Sequence, residues 1–63
     1  MSRPLTVVQI LPRLDAGGVE RGTLEVAEAL AQRGHRAIVV SAGGGLVDEL
    51  ERLGGEHVAM SVA

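Results

Sequence analysis

Three short apolar runs alternate with two stretches of helical spacing, and this alternation constrains the fold more than any other feature of the chain. The runs "LTVVQIL" (Leu5–Leu11) and "RAIVVSA" (Arg36–Ala42) are rich in β-branched residues and apolar almost throughout. Near-continuous apolarity marks strands buried on both faces, as in a parallel sheet. Pro12 lacks a backbone donor and ends the first run. "HVAMSV" (His57–Val62) reads as a third, weaker strand.

Between the first two runs, Val19, Val26, Ala27, Leu30 and Ala31 fall at the spacing of one buried stripe on a helix over Val19–Arg33. Glu20, Glu25, Glu28 and Gln32 lie mostly on the other face. Gly34 is placed to stop this helix as its C′ residue, with Arg33 in the last turn. The segment "LVDELERLGG" predicts a second, shorter helix with Leu46, Val47, Leu50 and Leu53 on one side. Asp48 and Glu49 sit near its positive end, Asp48 and Arg52 form an i,i+4 pair, and Gly54 ends it.

The predicted order β-α-β-α-β is an α/β class: a partial Rossmann-like unit with a parallel sheet. Right-handed crossovers place the strands in the order 3-2-1, with both helices on one face. The other face is then bare, and its apolar residues need cover that 63 residues do not contain. The chain over 1–63 is therefore expected to be one incomplete domain of a larger fold. An independent mini-domain or a dimer is the alternative.

Composition agrees with a piece of a larger core. A domain of this size buries only about 60% of its unfolded surface. There is no Cys to form a disulfide or a thiolate metal site, and no Phe, Tyr or Trp to fill a core. Yet the hydrophobic fraction is 46%, too apolar for a disordered chain. Six Arg oppose eight Asp and Glu, with no Lys, and the arginines form no basic stripe of the kind a nucleic-acid binder shows. The longest stretch without a charge or His, Ala37 to Val47, is broken by glycines and far short of the ~20 apolar residues of a membrane span. The first apolar run contains Gln9 and ends in Pro12-Arg13 without a small-residue cleavage site, so it reads as a strand and the chain as cytoplasmic.

Two glycine-rich loops, Gly17-Gly18 and Gly43 to Gly45, fall at the carboxyl ends of the first two strands. Ligands of open α/β sheets bind at that edge. The first loop also opens a helix, where free N–H groups and the dipole favour a phosphate. Two readings stand for Gly17 and Gly18: bare backbone donors for an anion, or a strand-to-helix turn needing positive φ. Glu20 opposes the anion, and Arg21 either offsets it or pairs with Glu25. The Walker loop is absent, since it needs a Lys. The dinucleotide fingerprint is absent too: the glycines read G-G-V-E-R-G, and the second strand ends in Ser41-Ala42 without an acid. His35 and His57 each begin a strand and have no second ligand at metal spacing. Glu49 and Glu51 are expected on a solvated face, Ser41 at a strand's carboxyl end is expected as a loop hydroxyl with contact to a ligand as the alternative, and no nucleophile–base pair is predicted.

The run from Val8 to Gly54 carries a resemblance. A strand followed by "GGVE", a helix ending in "LAQRGH", then "VVSAGG" and a helix ending in Leu-Gly, in that order and spacing, resemble the start of a family 4 retaining glycosyltransferase of the GT-B fold. The likeness is to the N-terminal, acceptor-side domain of bacterial cell-surface polysaccharide and lipopolysaccharide sugar transferases. It implies that Gly17 and Gly18 lie at an interdomain cleft, near the diphosphate of a nucleotide-sugar donor and the acceptor, and that "RGH" is mainly a structural turn. It implies no cofactor, the nucleotide sugar being a substrate, together with a glycan or lipid-linked acceptor and contact with the inner face of a membrane. The family's later N-domain histidine and its C-terminal domain, with the nucleotide grip and paired glutamates, have no counterpart in these residues. The chain alone is thus expected to be inactive. The rival expectation is a non-catalytic α/β module that docks its bare sheet face on a partner chain.

Overall fold

The computed structural model describes residues 3–60. Within them the elements are β1 (Thr6–Ile10), α1 (Gly18–Gln32), β2 (Arg36–Ser41), α2 (Val47–Arg52) and β3 (Glu56–Ala59). The strands form one parallel sheet in the expected order, β1-β2-β3. The chain is a partial α/β Rossmann-like unit. The third strand begins one residue earlier than predicted. Of its expected far end, Ser61 and Val62 lie outside the described residues.

Strand alternation sorts the sheet into two faces. Ala37, Val39 and Ser41 of β2 are buried under the helices. They pack in a core with Leu14, Leu24, Ala27 and Leu50, bordered by Leu11, Leu30, Leu46, Val47 and Leu53. The four apolar positions expected on α2 therefore all meet the core. The opposite face aligns Val8 with Ile38, and Ile10 with Val40 and Val58. It has no cover among the described residues: Ile10 is 70% exposed, Val8 50% and Val58 49%. Among the described residues β1 pairs only with β2, and its other edge borders this face.

The stripe predicted for α1 needs correction. Its buried residues are Thr23, Leu24 and Ala27, whereas Val19 and Val26 are exposed. Leu24 packs in the core with Val39 of β2 and Leu50 of α2, and Arg21, one turn before it, pairs with Glu49 of α2. Both helices end on a glycine, as expected. Gly34 and Gly54 adopt left-handed φ of 79° and 97°. The following N–H groups close back on Leu30 and Leu50, forming Schellman caps that satisfy carbonyls the helices leave open.

Candidate functional site

The carboxyl edge of the sheet is where the two glycine loops meet, and backbone hydrogen bonds join them. Ala42 N–H donates to the Pro12 carbonyl at 2.9 Å, Leu14 N–H to that of Gly43 at 2.9 Å, and Leu46 N–H to that of Leu14 at 2.9 Å. Gly45 N–H donates to Asp15 Oδ1 at 3.3 Å. Leu14, fully buried, anchors the first loop in the core from below. Asp15 is also held by Arg13, whose Nε lies 3.0 Å from Oδ2. Arg13 and the Gly45 N–H together keep the Asp15 carboxyl below the ordinary carboxylate range.

The triglycine serves this junction. Gly43 and Gly44 have φ of 108° and 153°, which L side chains rarely adopt. A Cβ on Gly44 would also overlap the Leu14 carbonyl. The second loop is thus glycine-rich because another backbone crosses it.

Gly17 and Gly18 have a different setting. Gly17 is the N-cap of α1, in extended backbone (φ −176°), and Gly18 is the first helical residue. Neither has left-handed φ, so the reading of this pair as a positive-φ turn is corrected. Helical geometry at Gly18 suits any residue, and a Cβ there meets nothing within 4 Å. At Gly17 a Cβ would lie 2.8 Å from Glu20 Oε1, the movable end of a side chain. The fold therefore sets no requirement for glycine at 18. Among the described residues no side chain caps the N-terminus of α1, and the first-turn N–H groups have no partner within the helix. The Glu20 carboxylate leans back over Gly17, toward this positive end.

Three expectations around the site change. Arg21 pairs with Glu49 of α2, Nη1 to Oε2 at 2.7 Å, and not with Glu25. Glu49 is accordingly half-buried between the helices and not on a solvated face. Ser41 is no loop hydroxyl: it ends β2, fully buried. Its Oγ accepts from Gly43 N–H at 3.1 Å and lies 2.8 Å from His57 Nε2.

Sequence reading missed the Ser41–His57 pair because it depends on strand register. Val39 faces His57 and Ser41 faces Ala59, so Ser41 and His57 are diagonal neighbours under the helices. One signal was available: Ser41 shares the buried parity of Ala37 and Val39, and a buried hydroxyl needs a partner. The pair is not a nucleophile and base. Ser41 is sealed from solvent, and no carboxylate orients His57 among the hydrogen bonds of the described residues. His35 has a structural role, its Nδ1 accepting from Leu5 N–H at 3.0 Å.

Among the described residues there is no pocket, no group of acids and histidines that would hold a metal, and no helix long and apolar enough to cross a membrane. No family model matches the chain, and no curated protein matches it. Its structure is similar to the crystal structure of a glycosyltransferase from Rickettsia africae ESF-5, with 44% sequence identity and a TM-score of 0.82. The likeness covers 98% of this chain and 16% of that one.

Proposed function

We propose that these residues form the opening unit of a glycosyltransferase that moves a sugar from a nucleotide donor to an acceptor. The observation that carries this reading is the 44% identity to a solved glycosyltransferase over nearly the whole chain. The finer assignment is a retaining family 4 enzyme of GT-B architecture, with a glycan or lipid-linked acceptor of cell-surface polysaccharide or lipopolysaccharide synthesis. It rests on the resemblance of the "GGVE" loop and the segments after it. The corresponding setting is the cytoplasm, at the inner face of the membrane.

In this reading the bare sheet face and the free edge of β1 are covered by further chain of the enzyme. The same face was the basis for a docking module, but nothing in it favours a separate partner over that cover. Gly17 and Gly18 bring the N-terminus of α1 to the donor diphosphate or the acceptor. The absence of a Cβ at Gly18 lets a substrate approach the backbone, a role that fits a glycine the fold itself does not need. A helix terminus contributes only about 0.3–1 kcal/mol toward an anion when exposed, and up to ~2 when partly buried. These N–H groups therefore assist a cleft and do not bind a nucleotide sugar alone.

The test is transfer by the longer enzyme against a panel of nucleotide sugars, with and without Gly18→Ala. Transfer that falls in the variant, with the fold intact, supports the reading. A longer enzyme that turns over no nucleotide sugar would overturn it.

A further inference from the structure

We propose that the Ser41–His57 contact is a clasp that positions both carboxyl-edge loops, and through them the Gly17–Gly18 end of α1. Ser41 Oγ is a side-chain hold on the start of the second loop, accepting from Gly43 N–H at 3.1 Å. A serine Oγ has three staggered positions open to it about the Cα–Cβ bond, and its hydrogen-bond partners select one. Here the partner is His57 Nε2 at 2.8 Å, on the neighbouring strand. Ser41 is fully buried, so no bulk water substitutes for that partner.

From Gly43 the hold passes to the first loop. The Gly43 carbonyl accepts from Leu14 N–H, and the Leu14 carbonyl accepts from Leu46 N–H. Gly45 N–H is bound by Asp15, two residues before the N-cap Gly17. Both backbone groups of Leu14 are thus taken by the second loop, and the loops move as one body. The clasp is not needed to join the strands, because β2 and β3 already pair over Ile38–Ser41. Its distinct effect is on the loops. His57 and Ser41 are positioning residues in this scheme and touch no substrate. The functional consequence rests on the glycosyltransferase reading above, whereas the coupling of the loops does not.

The test is ¹⁵N relaxation NMR on the full chain, comparing wild type with His57→Leu, Ser41→Ala and His57→Gln. Expected in the first two variants are lower heteronuclear NOEs and shifted amide signals at Leu14, Gly43 and Gly45. Gly34 and Gly54, at the opposite edge of the sheet, are the internal controls and should keep their wild-type values. His57→Gln retains a hydrogen-bonding amide at the end of the side chain and should recover much of the loop order. An unchanged Leu14 signal would overturn the proposal. So would equal changes at Gly34 and Gly54, or loss of the fold in both His57→Leu and Ser41→Ala, since the contact would then serve the core as a whole. Ordered, coupled loops in an enzyme that transfers no sugar would count against the glycosyltransferase reading alone.

Discussion

Gly44 lies against the carbonyl of Leu14, with no room for a Cβ between the two backbones. Its φ of 153° adds a second penalty for any side chain. Gly44→Ala should therefore destabilise the fold by about 1–3 kcal/mol from backbone strain alone, and by more once the overlap pushes the loops apart. Urea unfolding of the variant beside wild type checks this. A loss under about 0.5 kcal/mol would mean that the loops separate without cost.

Gly18→Ala should have the opposite sign. The residue is helical, and its Cβ meets open space. Alanine there restricts the unfolded chain and stabilises by about 0.4–1 kcal/mol. In the longer enzyme the added methyl stands beside the proposed substrate, so the rate of transfer should fall while the melting temperature rises. A stabilised variant with unchanged kinetics would remove Gly18 from the site.

The two glycine loops show where sequence reading reaches its limit. The strands and helices were legible because each has its own period: the β-branched runs at 5–11 and 36–42, and the i, i+3, i+4 spacing before Gly34 and Gly54. The bare face followed from right-handed crossovers combined with strands added in one direction. What the loops do was not legible, since the Leu14–Gly44 approach joins segments thirty residues apart through main-chain atoms that carry no sequence signal. Leu14 stands in an aperiodic stretch, so nothing local marked it as core. Arg21 had an acid four residues away in Glu25, but the packing of α2 brings Glu49 Oε2 to 2.7 Å from its Nη1. Val19 and Val26 misled because hydrophobicity on a helix marks a face to be covered, whether or not the covering elements lie in these residues. In the candidate site, the position of Gly17 and Gly18 at the sheet edge was readable. Their negative or extended φ was not, because glycine permits either sign.

The uncovered face predicts how the chain responds to polar substitution. Ile10 is 70% exposed on it. In the 63-residue chain, Ile10→Thr should change stability by no more than about 0.5 kcal/mol, as for an ordinary surface position. Leu24→Ala, in the core, should cost about 2–5 kcal/mol. The chain alone should also fall short of the ordinary domain range of about 5–15 kcal/mol. If Ile10→Thr costs as much as a core substitution in dilute solution, the face is already covered and the need for further chain disappears.

Acid should loosen the loops. Asp15 is held below the ordinary carboxylate range, first by Arg13 and then by Gly45 N–H. A lowered folded-state pKa means that the charged form stabilises the fold. That contribution is complete above the ordinary aspartate value of about 4 and is lost as pH falls through the lowered one. Glu56, held low by Arg36 across β2 and β3, follows the same sign. The amide of Gly45 should therefore lose its protection as pH falls through the lowered Asp15 value, beneath the ordinary aspartate range. Asp15→Asn should remove that pH step at Gly45 while leaving the one that belongs to Glu56. A Gly45 amide whose protection is flat from neutral to strongly acid pH would contradict the assignment.

Glu20 decides how readily an anion reaches the N-terminus of α1. It stands three residues after the N-cap, and its carboxylate lies over Gly17, where its negative charge already meets the positive end of the helix. A phosphate arriving at the same N–H groups must displace this side chain or share the field with it, and two anions in one small site repel. Arg21 does not relieve the conflict, because Glu49 engages it. Glu20→Gln keeps the length and hydrogen-bonding ability of the side chain but removes the charge. In the longer enzyme the variant should bind nucleotide-sugar donor more tightly by a few-fold, in keeping with the roughly 0.3–1 kcal/mol of a charge at an exposed helix end. The gain should shrink with added salt, since the repulsion is screened. The same substitution should slightly destabilise the unliganded fold, because the helix loses its internal anion. Calorimetric titration of donor at low and high salt measures the first effect, and thermal unfolding the second. A donor affinity that falls in Glu20→Gln would instead give the carboxylate a direct role in holding the sugar or its hydroxyls, and would move the diphosphate away from this helix end.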